Sequence, residues 1–262
     1  MTEHASAACL RHEVHVWLAR PEPCSLSMLA GRYEALLSQE ERQRSQRFHF
    51  EHDRKHYLAA HALLRLGLAH YLGGAPEHIS LAQGRNGKPE LAPQHGAQPL
   101  RFNLSHTRGM VACVLTHARD CGIDVEGIRP MQQMDGVART VFSKDEREYL
   151  AGCGNAARTS AFFTLWTLKE AYIKATGLGM SAPLRQISID PRGLRIRDES
   201  CPDPEGDSRQ WLFDSWQPTP DHALALACEG AATVSRIIYH ELDLADGALH
   251  VLQQRQPRTI SP

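Results

Sequence analysis

Asp124 and Glu126 stand two apart in Gly122-Ile-Asp-Val-Glu126. On an extended strand that spacing points both carboxylates to one side. Two like charges so close repel, and the apolar residues around them offer no compensation. A divalent cation resolves the conflict, and an oxygen-only donor set favours Mg²⁺ over zinc. Glu170 lies on a second segment, Phe163-Thr-Leu-Trp-Thr-Leu-Lys-Glu-Ala-Tyr-Ile-Lys174. This segment reads as a helix with a broad apolar side, stopped by Gly177 and Gly179. Glu170 and Lys174 are four apart and so share one helix face. Brought to the strand, Glu170 completes a three-carboxylate site with an ammonium beside it. Taken singly, each feature has a plain alternative: a solvated strand edge for the two acids, a weak surface ion pair for Glu170 and Lys174.

Other segments carry weaker signals. Asn103-Leu-Ser105-His106-Thr107 closes a strand, where His106 suits a phosphate contact. Ser105 and His106 are not a nucleophile and its base, because adjacent strand side chains point apart. Gly84-Arg-Asn-Gly87-Lys88-Pro89 has glycines and a lysine without phosphate-loop spacing, and its plain reading is a hairpin tip. Arg42, Arg44 and Arg47 suit a phosphate monoester or a solvated helix face equally. His52, His56 and His61 do not form HExxH and have no cysteines nearby, so they read as surface or packing residues. Only five of the 29 basic residues are lysine, at 55, 88, 144, 169 and 174. A lysine kept in an arginine-rich chain hints at a need for a compact ammonium.

The elements that must position these groups follow from pattern. Residues 1–12 read as a frayed tail, and His15-Val-Trp-Leu-Ala19 as a first strand ended by Pro21 and Pro23. Ser38-Gln-Glu-Glu41 fits a capping box opening a short basic helix. A longer helix spans about 53–71, stopped by Gly73-Gly74. Asn86-Gly87 signals a hairpin. Strands follow at 100–105, 110–116 and 121–126, and their short turns favour antiparallel neighbours. Helices cover roughly 131–150 and 159–176, with strands near 186–190, 211–217 and 222–227 and a loop at 195–209. Both halves place helices before strands, and Gly109-Met-Val-Ala-Cys-Val faintly echoes His222-Ala-Leu-Ala-Leu-Ala-Cys. The pattern reads as an internal repeat: an N-terminal lobe at 13–117, a C-terminal lobe at 118–242, and a polar tail at 243–262.

Composition narrows the class. A hydrophobic content of 42% supports a packed core, and a formal net charge of −1 gives no reason to expect nucleic-acid or membrane-surface binding. No apolar run approaches a membrane span, and the first residues do not read as a signal peptide. Seven cysteines, odd in number and never spaced as CxxC, fit reduced thiols in a cytoplasmic protein.

In chain order these motifs resemble the Sfp-type 4′-phosphopantetheinyl transferases. The carrying segments are Phe102-Asn-Leu-Ser-His106, Gly122-Ile-Asp-Val-Glu126 and Trp166-Thr-Leu-Lys-Glu-Ala-Tyr-Ile-Lys174, with Gly87-Lys88-Pro89 and Phe142-Ser-Lys-Asp-Glu146 in support. The likeness spans about 38–228. It implies an α+β intramolecular pseudo-dimer of two similar lobes, each a small, mainly antiparallel sheet packed on helices, with the active site in the cleft between them. It implies transfer of the phosphopantetheine arm of coenzyme A to a serine of an apo acyl, peptidyl or aryl carrier protein, releasing adenosine 3′,5′-bisphosphate. Mg²⁺, for which Mn²⁺ may substitute, would be held by Asp124, Glu126 and Glu170. Lys174 matches the lysine near the pyrophosphate, His106 the phosphate-contacting histidine beside Ser105, and Lys88 the lysine of the nucleotide loop. Arg44 and Arg47 fall in the segment that would hold the 3′-phosphate, Arg44 the better placed. Glu170 is the expected base, with Lys174 lowering its pKa. Carrier docking is expected between Met131 and Val141 and near Lys144, on a monomer that binds neither nucleic acid nor membrane. Two departures stand out: Glu41 where some relatives carry a basic residue, and Thr107 where serine is usual. A Mg²⁺-dependent phosphohydrolase and a non-catalytic coenzyme A or carrier-binding module are the alternatives, the latter disfavoured by Asp124, Glu126, Glu170 and Lys174 standing together.

Overall fold

A computed structural model describes residues 8–84, 87–95, 99–200 and 211–257. The chain runs β1 (Glu13–Ala19), α1 (Leu26–Tyr33), α2 (Gln39–Gln46) and α3 (Glu51–Leu72). A small hairpin, β2 (Leu81–Gln83) and β3 (Pro89–Leu91), leads to β4 (Leu100–Thr107) and β5 (Met110–His117). The same order then recurs: β6 (Cys121–Gly127), α4 (Met134–Val141), α5 (Lys144–Gly152) and α6 (Asn155–Thr176). The hairpin β7 (Ile187–Asp190) and β8 (Arg195–Asp198) follows, then β9 (Trp211–Thr219) and β10 (His222–Glu229). Two further strands, β11 (Arg236–Leu242) and β12 (Leu249–Arg255), close the described chain.

The sheets repeat as the elements do. One has the order β12-β11-β1-β5-β4 and the other β6-β10-β9. The triplets β1-β5-β4 and β6-β10-β9 are both antiparallel, so each lobe is built on one plan. Val14, Val16, Leu18, Ala112 and Val114 of the first sheet pack on Ile123, Val125, Leu224 and Leu226 of the second. The opposite faces are covered by α3 and α6. The result is four layers, helix-sheet-sheet-helix.

Local chemistry repeats too. Ser38 and Glu41 form a complete capping box on α2, and Ser143 and Glu146 form another on α5. Each capping glutamate then meets a cation from the long helix of its lobe. Arg65 Nη2 reaches Glu41 at 2.8 Å, and Lys169 Nζ reaches Glu146 at 2.8 Å. Each cation also donates to carbonyls just before or at the start of the next strands: Arg65 to Pro76 and Ile79, Lys169 to Ile187. Glu41 is therefore a framework residue, which explains its departure from a basic side chain.

The structure changes several expectations. The tail proposed after 242 supplies β12, and β11 pairs in parallel with β1, so the chain's last described strands extend the first lobe's sheet. Of the proposed N-terminal tail, residues 1–7 lie outside the described residues, while Cys9–Arg11 form a 3₁₀ turn with Leu10 fully buried. The helix expected over 131–150 breaks at Phe142-Ser143, because Ser143 is an N-cap. α1 follows an N-cap at Ser25 that pattern reading passed over. Residues 195–198 of the proposed loop form β8, and 201–209 lie outside the described residues. Strand β6 is not an antiparallel neighbour of β5; it crosses into the second sheet.

Candidate active site

The site forms where the lobes meet. Gly122, Asp124 and Glu126 alternate along β6 on the side facing α6. A Cβ at Gly122 would lie 2.0 Å from the Ala171 carbonyl oxygen and 2.5 Å from the Ala175 nitrogen. Only glycine lets the helix backbone rest on the strand this closely. That approach brings Lys174 to Asp124 at 2.6 Å rather than to Glu170 on its own helix. Lys174 also donates to Ser105 Oγ at 3.0 Å and to the Ile123 carbonyl at 3.3 Å.

Asp124 is almost wholly buried, at 4% exposure. Its Oδ1 accepts from Lys174 and from Ser105 Oγ at 3.0 Å. Its Oδ2 is buried and, among the described residues, accepts no hydrogen bond. An orphaned buried carboxylate oxygen costs about 1–3 kcal/mol or more, so the geometry calls for a further partner.

Strand β4 reaches β6 through side chains instead of a backbone ladder. Asn103 Oδ1 accepts from Ile123 N at 2.9 Å, Ser105 Oγ from Val125 N at 3.3 Å and Thr107 Oγ1 from Gly127 N at 3.3 Å. Three polar residues at alternate positions thus satisfy three alternate amides of the opposite lobe. Sequence reading missed this role. Its signal was Asn-x-Ser-x-Thr on one face of a strand whose other residues are mostly apolar.

Glu126 and Glu170 both have raised pKa values. Burial is the first cause for each, and repulsion from Asp124 the second. Lys174 does pull Glu170 the other way, as expected from its spacing, but burial and Asp124 outweigh it. The three acids are thus electrostatically coupled, although they do not converge so far that each offers an oxygen within 4.8 Å of the others.

Glu170, Ile173 and Lys174 line one side of a cleft of about 580 Å³, continued by Gly177, Gly179, Ala182 and Leu184. Gly87, Lys88, Pro89 and Asn103 of the first lobe line the other. Lys88 Nζ donates to the carbonyls of Cys121 at 3.0 Å and Lys174 at 2.8 Å, clamping the start of β6 to the end of α6. An ammonium has three protons, so one remains for a ligand.

His106 points to the opposite side of β4 from Ser105 and is exposed. The surrounding protein still excludes enough water to lower its pKa, with His56 and Lys174 adding repulsion. Arg44 and Arg47 are exposed at the end of α2 and do not line the cleft. Beside them Tyr57 is flanked by Phe48 and His61, at ring separations of 5.3 and 4.1 Å. Burial pushes the Tyr57 phenol up to about 12. His56 is a packing residue: its Nδ1 donates to the His52 carbonyl at 2.6 Å and its Nε2 accepts from Gly109 N at 2.8 Å.

Coupled carboxylates, two lysines and a cleft at the join of two like lobes are groups suited to an enzyme acting on a phosphorylated substrate. Two family models match the chain consecutively. Residues 23–118 match "4′-phosphopantetheinyl transferase, N-terminal" and residues 120–227 the "4′-phosphopantetheinyl transferase superfamily". The 4′-phosphopantetheinyl transferase HetI of Nostoc is 37% identical over 183 residues, covering 69% of this chain and 75% of HetI. A phosphopantetheinyl transferase of Thraustochytrium is 33% identical over 214 residues, 76% of this chain and 72% of that one. The transferase Sfp of Bacillus subtilis is 29% identical over 158 residues, 60% and 68% of the two chains. The chain belongs to the 4′-phosphopantetheinyl transferases. It is an enzyme that moves the 4′-phosphopantetheine group of coenzyme A onto a serine of a carrier protein.

Proposed function

We propose that the inter-lobe cleft is the transfer site, that Asp124, Glu126 and Glu170 hold a Mg²⁺ ion, and that coenzyme A lies along the join with its pyrophosphate toward Lys174. The observation that carries the metal reading is the buried, unpartnered Oδ2 of Asp124, set among carboxylates that burial and mutual repulsion hold toward protonation. An oxygen-only donor set suits Mg²⁺, and Mn²⁺ would serve in its place. When bound, the cation neutralises charge that builds on the phosphoryl oxygens and the departing adenosine 3′,5′-bisphosphate.

The chain's own residues do the rest. Lys88 offers its remaining proton to the pyrophosphate, and Lys174, whose protons go to Asp124, Ser105 and the Ile123 carbonyl, acts on it through its charge. His106 offers a ring N–H to a phosphate oxygen. Ser105 fixes Asp124 and Lys174 together, and Arg44 and Arg47 hold the 3′-phosphate at the outer end of the substrate. Glu170 accepts the proton of the attacking serine hydroxyl. The carrier docks over the α4 segment and the start of α5, where Lys144 and Arg147 present positive charge. With both lobes on one chain the enzyme works as a monomer, in the cytoplasm. Among the described residues no helix is long and apolar enough to cross a membrane.

The test is the intact mass of purified apo carrier proteins after incubation with enzyme, coenzyme A and Mg²⁺. The expected result is a gain of one phosphopantetheine, lost with EDTA and lost in Asp124→Ala by about 10³-fold in rate. Undiminished transfer in Asp124→Ala would refute the metal assignment. Full rate in a Glu170→Gln protein that still binds coenzyme A would remove Glu170 as the base. Hydrolysis of coenzyme A without a carrier product would favour a phosphohydrolase.

A further inference from the structure

The repeat gives the molecule a second place equivalent to its cleft. Arg65 and Lys169, gripping their capping glutamates, set α3 and α6 in register. Five residues on, His70 is the counterpart of Lys174. β1 lies under α3 as β6 lies under α6, and β11 runs beside β1 on the edge away from β5. The side chains gathered there do not line the cleft. Yet they are polar, buried and densely connected.

His15 is at the centre, 4% exposed. Its Nε2 is 2.9 Å from Glu13 Oε2 and 4.0 Å from Cys9 Sγ. These three donor atoms all lie within 4.8 Å of one another, and among the described residues they are the one trio of His, Cys, Asp or Glu to do so. Arg236 pairs with Glu13 Oε1, leaving Oε2 turned to His15. On the other edge of the ring, Nδ1 meets Tyr71 Oη at 2.5 Å and His240 Nε2 at 3.0 Å. Tyr71 in turn accepts from Trp17 Nε1 at 3.3 Å. His240 is 7% exposed, and its Nδ1 is buried without a partner among the described residues.

We propose that Cys9 Sγ, Glu13 Oε2 and His15 Nε2 form a zinc(II) site, with water as the fourth ligand. Mixed sulfur, nitrogen and oxygen donors select a borderline metal of this kind, and three protein ligands plus water is its open tetrahedral form. Half-exposed Cys9 gives the solvent position. On binding, the Cys9 thiol releases its proton to solvent, and the His15 proton moves to Nδ1. That tautomer resolves the crowding at the ring's other edge. With the proton on Nε2, a single Nδ1 lone pair faces both Tyr71 and His240. With the proton on Nδ1, it can donate to Tyr71 Oη or His240 Nε2, the supporting hydrogen bond that zinc-bound histidines normally make. The site is separate from the oxygen-only acids of the cleft, and Mg²⁺ does not compete for it.

The test uses the full chain, tag removed, reduced and stripped of metal, with Co²⁺ and Zn²⁺ as probes and excess Mg²⁺ present. Cobalt should produce a thiolate-to-cobalt charge-transfer band that zinc abolishes, and elemental analysis after gel filtration should find about one zinc per chain. Cys9→Ser should lose the band while keeping phosphopantetheine transfer, which shows that it folds. Tyr71→Phe should keep the band but bind zinc roughly 10–100-fold more weakly. No band from protein whose Cys9 titrates as a free thiol would overturn the proposal. So would a band or a zinc content that survives Cys9→Ser. Loss of transfer with the zinc results intact would count against the cleft assignments instead.

Discussion

The two lobes share a framework and divide the chemistry. Each has a capping-box glutamate, a cation on the long helix and a three-stranded antiparallel core, yet only the second carries two acids, two residues apart, on its first strand. Where β6 has Gly122, Asp124 and Glu126, the helix-facing side of β1 has His15 and Trp17. The first lobe instead supplies Lys88, Asn103, Ser105 and His106 from its other edge. Duplication gives two sites' worth of scaffold, and the side chains set on it differ. Stability should therefore respond alike to matched changes in the lobes, except where their surroundings differ.

The largest contrast concerns the buried ion pairs. Lys169 and Glu146 are 2% and 1% exposed at the side chain. Lys169→Met leaves Glu146 charged and buried, and should cost about 3–5 kcal/mol in urea unfolding. Arg65→Met should cost less: each glutamate keeps its N-cap amide at 2.7 Å, but Glu41 also keeps His61 at 2.9 Å, a group able to carry positive charge, where Glu146 keeps the neutral Ile189 amide at 2.9 Å. Equal losses would mean that the lobes use the pair identically.

The acid limb of stability should come from the first lobe. Burial acts to raise the Glu41 pKa, but the His61 hydrogen bond, the Ser38 amide and Arg65 overcome it and bring it to about 2 from an ordinary 4.5. A depressed carboxylate stabilises the fold above its unfolded pKa and loses that contribution as pH falls through its folded one. The shift corresponds to about 3 kcal/mol at neutral pH. Glu41→Gln should therefore lower the melting temperature at pH 7, with the deficit shrinking as pH drops from 4.5 toward 2. A deficit that does not change with pH would show that lost packing, not charge, is responsible.

Much of this framework was readable from residues alone, and the failures share a cause. The capping box at Ser38, the glycine stops and the shared strand face of Asp124 and Glu126 depend on neighbours in sequence or on fixed periods, so pattern exposes them. The partner of β6 does not. Its alternation is compatible with pairing to β5, and nothing local says that it satisfies its amides on Asn103, Ser105 and Thr107. The role of β11 and β12 is equally non-local, since β1 must already be in place for a parallel partner to matter. Glu41 looked like a missing base because its cation is 24 positions away on another helix. His15 looked like any strand residue because Tyr71 and His240, which meet its Nδ1, come from two distant segments.

Close helix-strand approach gives a third contrast. In the second lobe the glycine is on the strand, and a Cβ at Gly122 meets helix backbone, which cannot yield. Gly122→Ala should cost about 3 kcal/mol, the upper range for overpacking, and displace Lys174 from Asp124. In the first lobe the glycine is on the helix. A Cβ at Gly67 meets the Leu115 side chain at 3.1 Å, and a side chain can turn aside. Alanine also gains about 0.8–1 kcal/mol of helix propensity there, so Gly67→Ala should be nearly neutral in thermal unfolding.

The smallest expected effect tests how the lobes are joined. Thr107→Val keeps the shape of the side chain and removes the acceptor for Gly127 N. Both residues are half-buried, so water can replace the lost partner, and the cost should be no more than about 1 kcal/mol. Asn103→Leu at the closed end strands the buried Ile123 amide and should cost about 1–3 kcal/mol. Because Asn103 also lines the cleft, that variant should raise KM for coenzyme A, whereas Thr107→Val should leave it unchanged. If both variants raise KM equally, the ladder works as one unit holding the lobes in register. If neither destabilises, the packed sheet faces alone hold the lobes together, and Ser105 is kept for the chemistry of Asp124 and Lys174.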